Sequence, residues 1–250
     1  MKTLIKTCLG SLPGGKTLLR KVRLHRLNKS LQRFPDSKAI FDHYYKTGFW
    51  GSEESASGPG STIDYTAKVR KGIAEVIKRL DVRRVLDAPC GDFNWFRLVE
   101  RGEHVHYTGA DIVAPLIAEN TARYANENTS FVELDITRDP LPEADLWVCR
   151  DVFLHFCYQD IFLTMQNFAR SGARYLLATS YPTAKKNIDN PTGSARPVNL
   201  LAAPFDFGEP LEYIDDYIEG YPVRCLCLWE RNALLETLSQ NRKFQQWAKS

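Results

Sequence analysis

Three short apolar runs each end on a carboxylate: Arg84-Val85-Leu86-Asp87, His106 to Asp111, and Ser130 to Asp135. Runs of this length bounded by turn residues read as buried strands. In an open α/β sheet, ligands lie outside the carboxyl ends of the strands. A lone strand-terminal Asp reads as a turn residue, but Asp87, Asp111 and Asp135 in successive units line one rim with negative charge. Such a rim can take a cation or accept hydrogen bonds from a diol. A fourth strand, Asp145 to Arg150, is followed by Asp151 and, four residues on, His155. These two are candidates to remove a proton, since His titrates near neutrality. The plainer readings are a helix-start carboxylate for Asp151 and a core histidine beside Phe153 and Phe156 for His155.

The turn after the first strand narrows the ligand. A dinucleotide needs its pyrophosphate on a helix amino terminus, with glycines permitting the approach. Here Pro89, Gly91 and Asn94 stand at those positions, and Asp92 sets a negative charge where phosphate would lie. S-adenosylmethionine carries no phosphate, and its sulfonium and ammonium groups suit an acid-rich crevice. Asp111 follows Asp87 by 24 residues, a distance at which an acid commonly holds both ribose hydroxyls.

The elements that must position these groups alternate. Strands are expected over 83–87, 106–111, 130–135, 145–150 and 174–179, with helices over 93–101, 114–126 and 159–170. This alternation implies a doubly wound α/β fold with a mostly parallel sheet. Upstream, the aromatic stretch Phe41 to Trp50 leads into Gly51–Ser61, small and turn-forming, able to approach a ligand through its backbone. It reads as a lid or as a surface linker. Val69, Ile73, Val76 and Leu80 recur at helical spacing over 64–80, with Ser61 and Asp64 as a capping arrangement. Residues 181–222 contain six prolines and no periodicity, and a stretch of that length is expected to be functional. Its Asn187, Arg196 and Asn199 would suit a polyhydroxylated or anionic acceptor; the alternative is an insert that completes the core. A strand over 223–229 and a helix over 232–249 close the chain, giving six strands or a weakly marked seventh.

Asp87-Ala88-Pro89-Cys90-Gly91-Asp92-Phe93 resembles the first motif of class I S-adenosylmethionine-dependent methyltransferases, commonly E/D-x-G-x-G-x-G. Trp50, Ser57-Gly58-Pro59-Gly60-Ser61, Gly109-Ala110-Asp111-Ile112 and Arg150-Asp151-x-x-x-His155 extend the resemblance over residues 41 to 240. Pro89 and Phe93 depart from it, standing where glycines are usual. The resemblance implies a Rossmann-like fold in which Asp87 and Gly91 face the methionine and ribose, Asp111 the ribose diol, and Asp135 with Ile136 the adenine. Trp50, Ser57, Gly58, Ser61, Pro89, Asp92, Ile112 and Arg150 complete the expected cofactor set. The expected reaction is methyl transfer to a hydroxyl of a small-molecule or saccharide-type acceptor, with Asp151 or His155 as base. N-methylation of protein or nucleic acid is the enzyme alternative, although no Asn/Asp-Pro-Pro-Tyr tetrapeptide follows strand four. A noncatalytic S-adenosylmethionine-binding or membrane-associated module is the other.

Composition frames the rest. The chain has 250 residues, 44% hydrophobic and 25% charged, ordinary for a globular enzyme. Residues 1–40 hold ten Lys or Arg against the single Asp36, leaving 23 basic and 29 acidic residues beyond. We read 1–40 as a basic, helical extension and 41–250 as the catalytic domain. Residues 17–34 pattern as an amphipathic helix through Leu24, Leu27, Leu31 and Phe34, which could rest on an anionic membrane, touch nucleic acid or pack on its own domain. Nucleic acid is not the expected partner. Gly10-Ser11-Leu12-Pro13-Gly14-Gly15-Lys16-Thr17 matches the phosphate-loop spacing but lacks the buried strand that motif needs. The six cysteines show no CxxC spacing, so a reduced, cytoplasmic protein without a resident metal is expected.

Overall fold

A computed structural model describes residues 26–247 apart from Asn28. The phosphate-loop-like stretch 10–17, Cys8 and most of the basic stretch 17–34 lie outside the described residues. Seven strands form one sheet: β1 (Arg84–Asp87), β2 (His106–Asp111), β3 (Thr129–Glu133), β4 (Leu146–Cys149), β5 (Tyr175–Ser180), β6 (Glu212–Asp215) and β7 (Cys225–Glu230). Their order is β3-β2-β1-β4-β5-β7-β6. The β1–β5 pairings are parallel, while β7 runs antiparallel to both β5 and β6. This is the doubly wound, Rossmann-like arrangement expected. The weakly marked seventh strand is β6, an edge strand whose four residues include two acids.

Among the described residues, the helices that flank the sheet are α1 (Ser37–Thr47), α2 (Ala67–Arg79), α3 (Ala114–Tyr124), α4 (Tyr158–Arg170), α5 (Arg231–Gln240) and α6 (Arg242–Trp247). Each of the longer ones buries a stripe at helical spacing. In α2 it is Val69, Ile73, Val76 and Ile77, and in α4 Ile161, Phe162, Met165 and Phe168. The Asp36 carboxylate caps α1 by accepting from Ala39 N at 2.8 Å, and Gly48 ends it in the left-handed conformation. The boundary drawn after residue 40 thus falls inside α1. Leu31, upstream of it, is buried in the main core, with Leu27 and Phe34 packed against that core. None of the described helices is long and apolar enough to cross a membrane.

Three expected elements differ, the first being the closing helix over 232–249, which breaks at Asn241 into α5 and α6. No α-helix forms over 93–101; a single 3-10 turn, Phe96–Leu98, stands there. Phe93, Trp95 and Phe96 are all buried, and a regular helix would turn residues 93 and 95 about 200° apart. Phe93 adopts φ +57° instead, and the Asp92 carboxylate accepts from Asn94 N at 3.3 Å. Ser61 caps no helix: α2 begins six residues later, behind Thr66, and Ser61 is buried in a 3-10 turn, Pro59–Ser61.

Register explains how the three acids differ in depth. Asp87 lies level with Gly109, two residues short of Asp111, and Asp111 level with Glu133, two short of Asp135. Each acid therefore keeps the same side of the pleat but reaches one step further. Asp87 is 1% exposed, Asp111 and Asp135 8% each.

Candidate active site

A cavity of about 310 Å³ opens where strand order reverses between β1 and β4. At one end it is lined by Asp111, Ile112, Leu134, Asp135 and Ile136, beyond β2 and β3. Pro89, Gly91 and the loop carrying Ser57, Gly58 and Ser61 form its middle. Arg150, Asp151 and His155, past β4, form the other end together with Trp50.

The middle is a close approach of two backbones. Gly91 has φ +56°, and a Cβ there would lie 2.0 Å from Ser57 Oγ, so a side chain at this position displaces the loop. Asp92 holds the two segments together: its carboxylate accepts from Ser55 Oγ at 3.0 Å and Ala56 N at 2.7 Å. It does not line the cavity, and its charge is spent on the loop rather than offered to a cofactor.

The rim acids divide. Asp111 lines the cavity with Oδ2 accepting from Gly91 N at 3.1 Å and Oδ1 from Val113 N at 3.1 Å. Burial raises its pKa to about 6, against the help of those amides. Asp135 also lines the cavity, while accepting from Thr137 N at 2.9 Å and Arg138 Nε at 2.7 Å. Asp87 stays outside the cavity wall. Its Oδ2 accepts from the Tyr107 hydroxyl at 2.8 Å, its Oδ1 has no partner, and burial raises its pKa to about 8.

At the β4 end, Asp151 adopts φ +57°, a conformation Asp tolerates better than most residues. It is caught in an ion-pair quartet whose other three members are buried. Arg224 Nη1 donates to both Asp151 oxygens at 2.7 and 2.8 Å. Arg150 donates to Asp216 through Nε at 3.1 Å and Nη2 at 2.9 Å, and its Nη1 lies 3.4 Å from Asp151. Arg224 Nε also lies 3.1 Å from Asp216. Two guanidiniums thus balance two carboxylates. Burial alone would raise the Asp151 pKa, but Arg150 and Arg224 more than offset it and hold the carboxyl below its usual range. A carboxylate so stabilised is a poor proton acceptor.

His155 is differently placed. Its Nδ1 lies 3.2 Å from Ser194 O. A carbonyl only accepts, so Nδ1 carries the proton and Nε2 keeps its lone pair. Burial lowers the imidazole's proton affinity despite nearby Asp151, keeping the ring neutral at pH 7. The Trp50 ring meets it edge-on at 6.2 Å.

Asn187, Arg196 and Asn199 do not line the cavity. Asn187 Nδ2 donates to Asn199 O at 2.8 Å and Ala203 O at 2.9 Å, and its Oδ1 accepts from Asn199 N at 2.9 Å. Asn199 Nδ2 donates to Ala184 O at 3.1 Å, and Arg196 Nε to Ile188 O at 2.7 Å. Backbone carbonyls left without strand partners consume these side chains, so the segment completes the core. The sequence reading also passed over Arg224, Asp216, Tyr65 and Tyr221. Arg224 and Asp216 flank short apolar runs, where a charge reads as a strand end facing water, and only the fold brings them to Arg150. Tyr65 and Tyr221, whose rings meet edge-on at 5.1 Å, line the cavity beside Arg224.

No family model and no curated protein matches this sequence. Solved structures do. Magnesium protoporphyrin IX methyltransferase from Synechocystis PCC 6803 with bound SAH is similar at TM-score 0.55 and 13% identity, over 77% of this chain and 98% of that one. The methyltransferase domain of bacterial CtHen1 is similar at TM-score 0.50 and 10% identity, over 66% of this chain and 99% of that one. At these identities the likeness is one of fold: the chain has the Rossmann-like methyltransferase fold.

Proposed function

We propose that this chain binds S-adenosylmethionine and transfers its methyl group to a hydroxyl of a small acceptor, with His155 as general base. One observation carries the reading. A single cavity is lined by Asp111 and Asp135 at one end and by His155 at the other, across the point where the strand order reverses. The lining fits the donor: Asp111 offers a carboxylate to a diol, and Asp135 adds a second acid at the same end. The structures of the porphyrin methyltransferase carry SAH or SAM, which agrees with this choice of donor.

When bound, the donor supplies an electrophilic methyl carbon on a sulfonium. The chain's own task is to align an acceptor oxygen and remove its proton. Nε2 of His155 accepts that proton while Nδ1–H stays on Ser194 O, and the negative Asp151 nearby favours the imidazolium that results. Arg150 and Arg224 keep Asp151 ionised, so it supports the charge without competing for the proton. The acceptor end is walled by Trp50, Tyr65 and Tyr221, rings that favour a flat or cyclic acceptor. A saccharide remains compatible through its apolar faces, but no longer through Asn187, Arg196 or Asn199.

Calorimetric titration with S-adenosylmethionine and S-adenosylhomocysteine tests the donor. Labelled methyl transfer into a cell extract, fractionated into glycans, lipids, proteins and RNA, tests the acceptor. Absence of binding overturns the reading, and binding without labelled product leaves only the noncatalytic module.

Asp111→Ala should weaken S-adenosylhomocysteine binding by about 1.5–3 kcal/mol, the loss expected when a charge-assisted partner is deleted. Unchanged affinity would remove Asp111 from the ribose site. The wild type should show a matching pH dependence. With a pKa of about 6, Asp111 is ionised above that value, so affinity should be level at higher pH. It should decline as pH falls through 6, and Asp111→Ala should abolish that decline.

A further inference from the structure

The proline-rich segment holds the turn that carries His155 at successive positions. Arg196 N donates to Leu154 O at 3.1 Å, and Gly193 N to His155 O at 2.8 Å. Cys157 N donates to Thr192 Oγ1 at 2.9 Å, and Tyr158 N to Asp189 Oδ1 at 2.9 Å. Ser194, whose carbonyl meets the imidazole, follows Gly193 directly. Gly193 is in turn gripped from the opposite side. The Tyr44 hydroxyl, in α1, donates to Gly193 O at 2.7 Å. A Cβ on Gly193, at φ +91°, would stand 2.7 Å from Ile40 Cγ2 and 2.9 Å from Leu31 Cδ2, so α1 and the chain before it press on this backbone.

The same helix reaches the other end of the cavity. Lys38 Nζ donates to Ile112 O at 2.8 Å and pairs with Glu133 at 2.8 Å. The Tyr45 hydroxyl donates to Glu119 Oε1 at 2.7 Å, and the Phe41 and Tyr45 rings line the cavity. Neighbouring tyrosines on one helix thus bind two different segments, Gly193 and Glu119, that lie outside the cavity lining.

We propose that Tyr44 is a positioning residue for His155: its hydroxyl holds the Gly193–Ser194 backbone, whose carbonyl selects the ring's tautomer and leaves Nε2 on the cavity. The proposal rests on the reading of His155 as the base. α1 then does more than cover the donor end of the cleft, because its seating also decides whether the base presents a lone pair or a proton.

Long-range proton–nitrogen spectra of the full chain, labelled with nitrogen-15 in its five histidines, read the tautomer directly, with His155→Gln assigning the signal. The wild type is expected to show Nδ1 protonated and Nε2 bare. Tyr44→Phe is expected to move His155 toward an averaged or Nε2-protonated pattern. Its S-adenosylhomocysteine affinity should stay within about twofold of wild type, and its labelled methyl incorporation should fall by about tenfold. Gly193→Ala pushes on the same backbone from the α1 side, where its Cβ would meet Ile40, Leu31 and the Tyr44 hydroxyl, and should move the tautomer likewise. A wild-type tautomer pattern in both variants overturns the proposal. Failure of the wild type to bind S-adenosylhomocysteine overturns the methyl-transfer reading alone, since the tautomer pattern decides the role of Tyr44 in either case.

Discussion

His155→Gln is expected to lower methyl incorporation by about 10²–10⁴-fold, the usual contribution of a positioned general base, while S-adenosylhomocysteine binds as before. Gln keeps much of the volume and can still donate to Ser194 O, so the loss reports proton removal rather than collapse of the turn. The pH profile should agree. His155 acts unprotonated, so activity should fall as pH drops through its pKa, which burial places below the ordinary value for histidine. Asp151→Asn separates the two candidates. Were Asp151 the base, the acid limb would lie below the usual carboxylate range, and the Asn variant would lose the reaction. With His155 as base, Asp151→Asn should lower the rate only through the lost support for the imidazolium. Full activity in His155→Gln would falsify the assignment.

The second large effect concerns stability. Asp216→Ala should destabilise the protein by about 3–5 kcal/mol, because it strips two buried guanidiniums of a shared counter-charge. Asp216 is 2% exposed, Arg150 4% and Arg224 8%, so water cannot replace what is lost. Against a domain stability of roughly 5–15 kcal/mol, that is a large fraction. Urea denaturation should show the midpoint falling with the slope unchanged. The double variant Arg150→Met/Asp216→Leu removes charge in balance and should recover much of the loss, since apolar replacement of a whole buried pair is often neutral. Additive losses in the double variant would mean that the two residues are not coupled.

Much of this architecture is legible in the residues. The apolar runs around Leu86, Ala110 and Val148 mark strands by composition alone, and the acids that close them mark the rim. β2 matches its expected span because a six-residue run with clear flanks leaves no other register. The helix expected after β1 fails because a count of apolar residues cannot distinguish one buried face from three aromatics buried in different directions, as Phe93, Trp95 and Phe96 are. Asn187, Arg196 and Asn199 misled for a related reason. Amides among prolines look like ligand contacts, but an irregular backbone has many carbonyls to satisfy, and these side chains satisfy them. Arg224 could not be read at all, since its meaning depends on Asp151, 73 residues away. The tautomer of His155 likewise depends on a carbonyl 39 residues downstream, to which no pattern points.

The placement of Arg224 also bears on the order in which the parts of the cleft are made. The residues that line the Asp111 end of the cleft all precede β4, whereas Asp216, the carboxylate to which Arg150 donates, comes after β5, and Arg224, which donates to Asp151, comes later still. A nascent chain halted before residue 216 therefore carries the full rim of acids beside a guanidinium whose main counter-ion has yet to be synthesised. The ion-pair quartet at that end is complete only once residue 224 has been made.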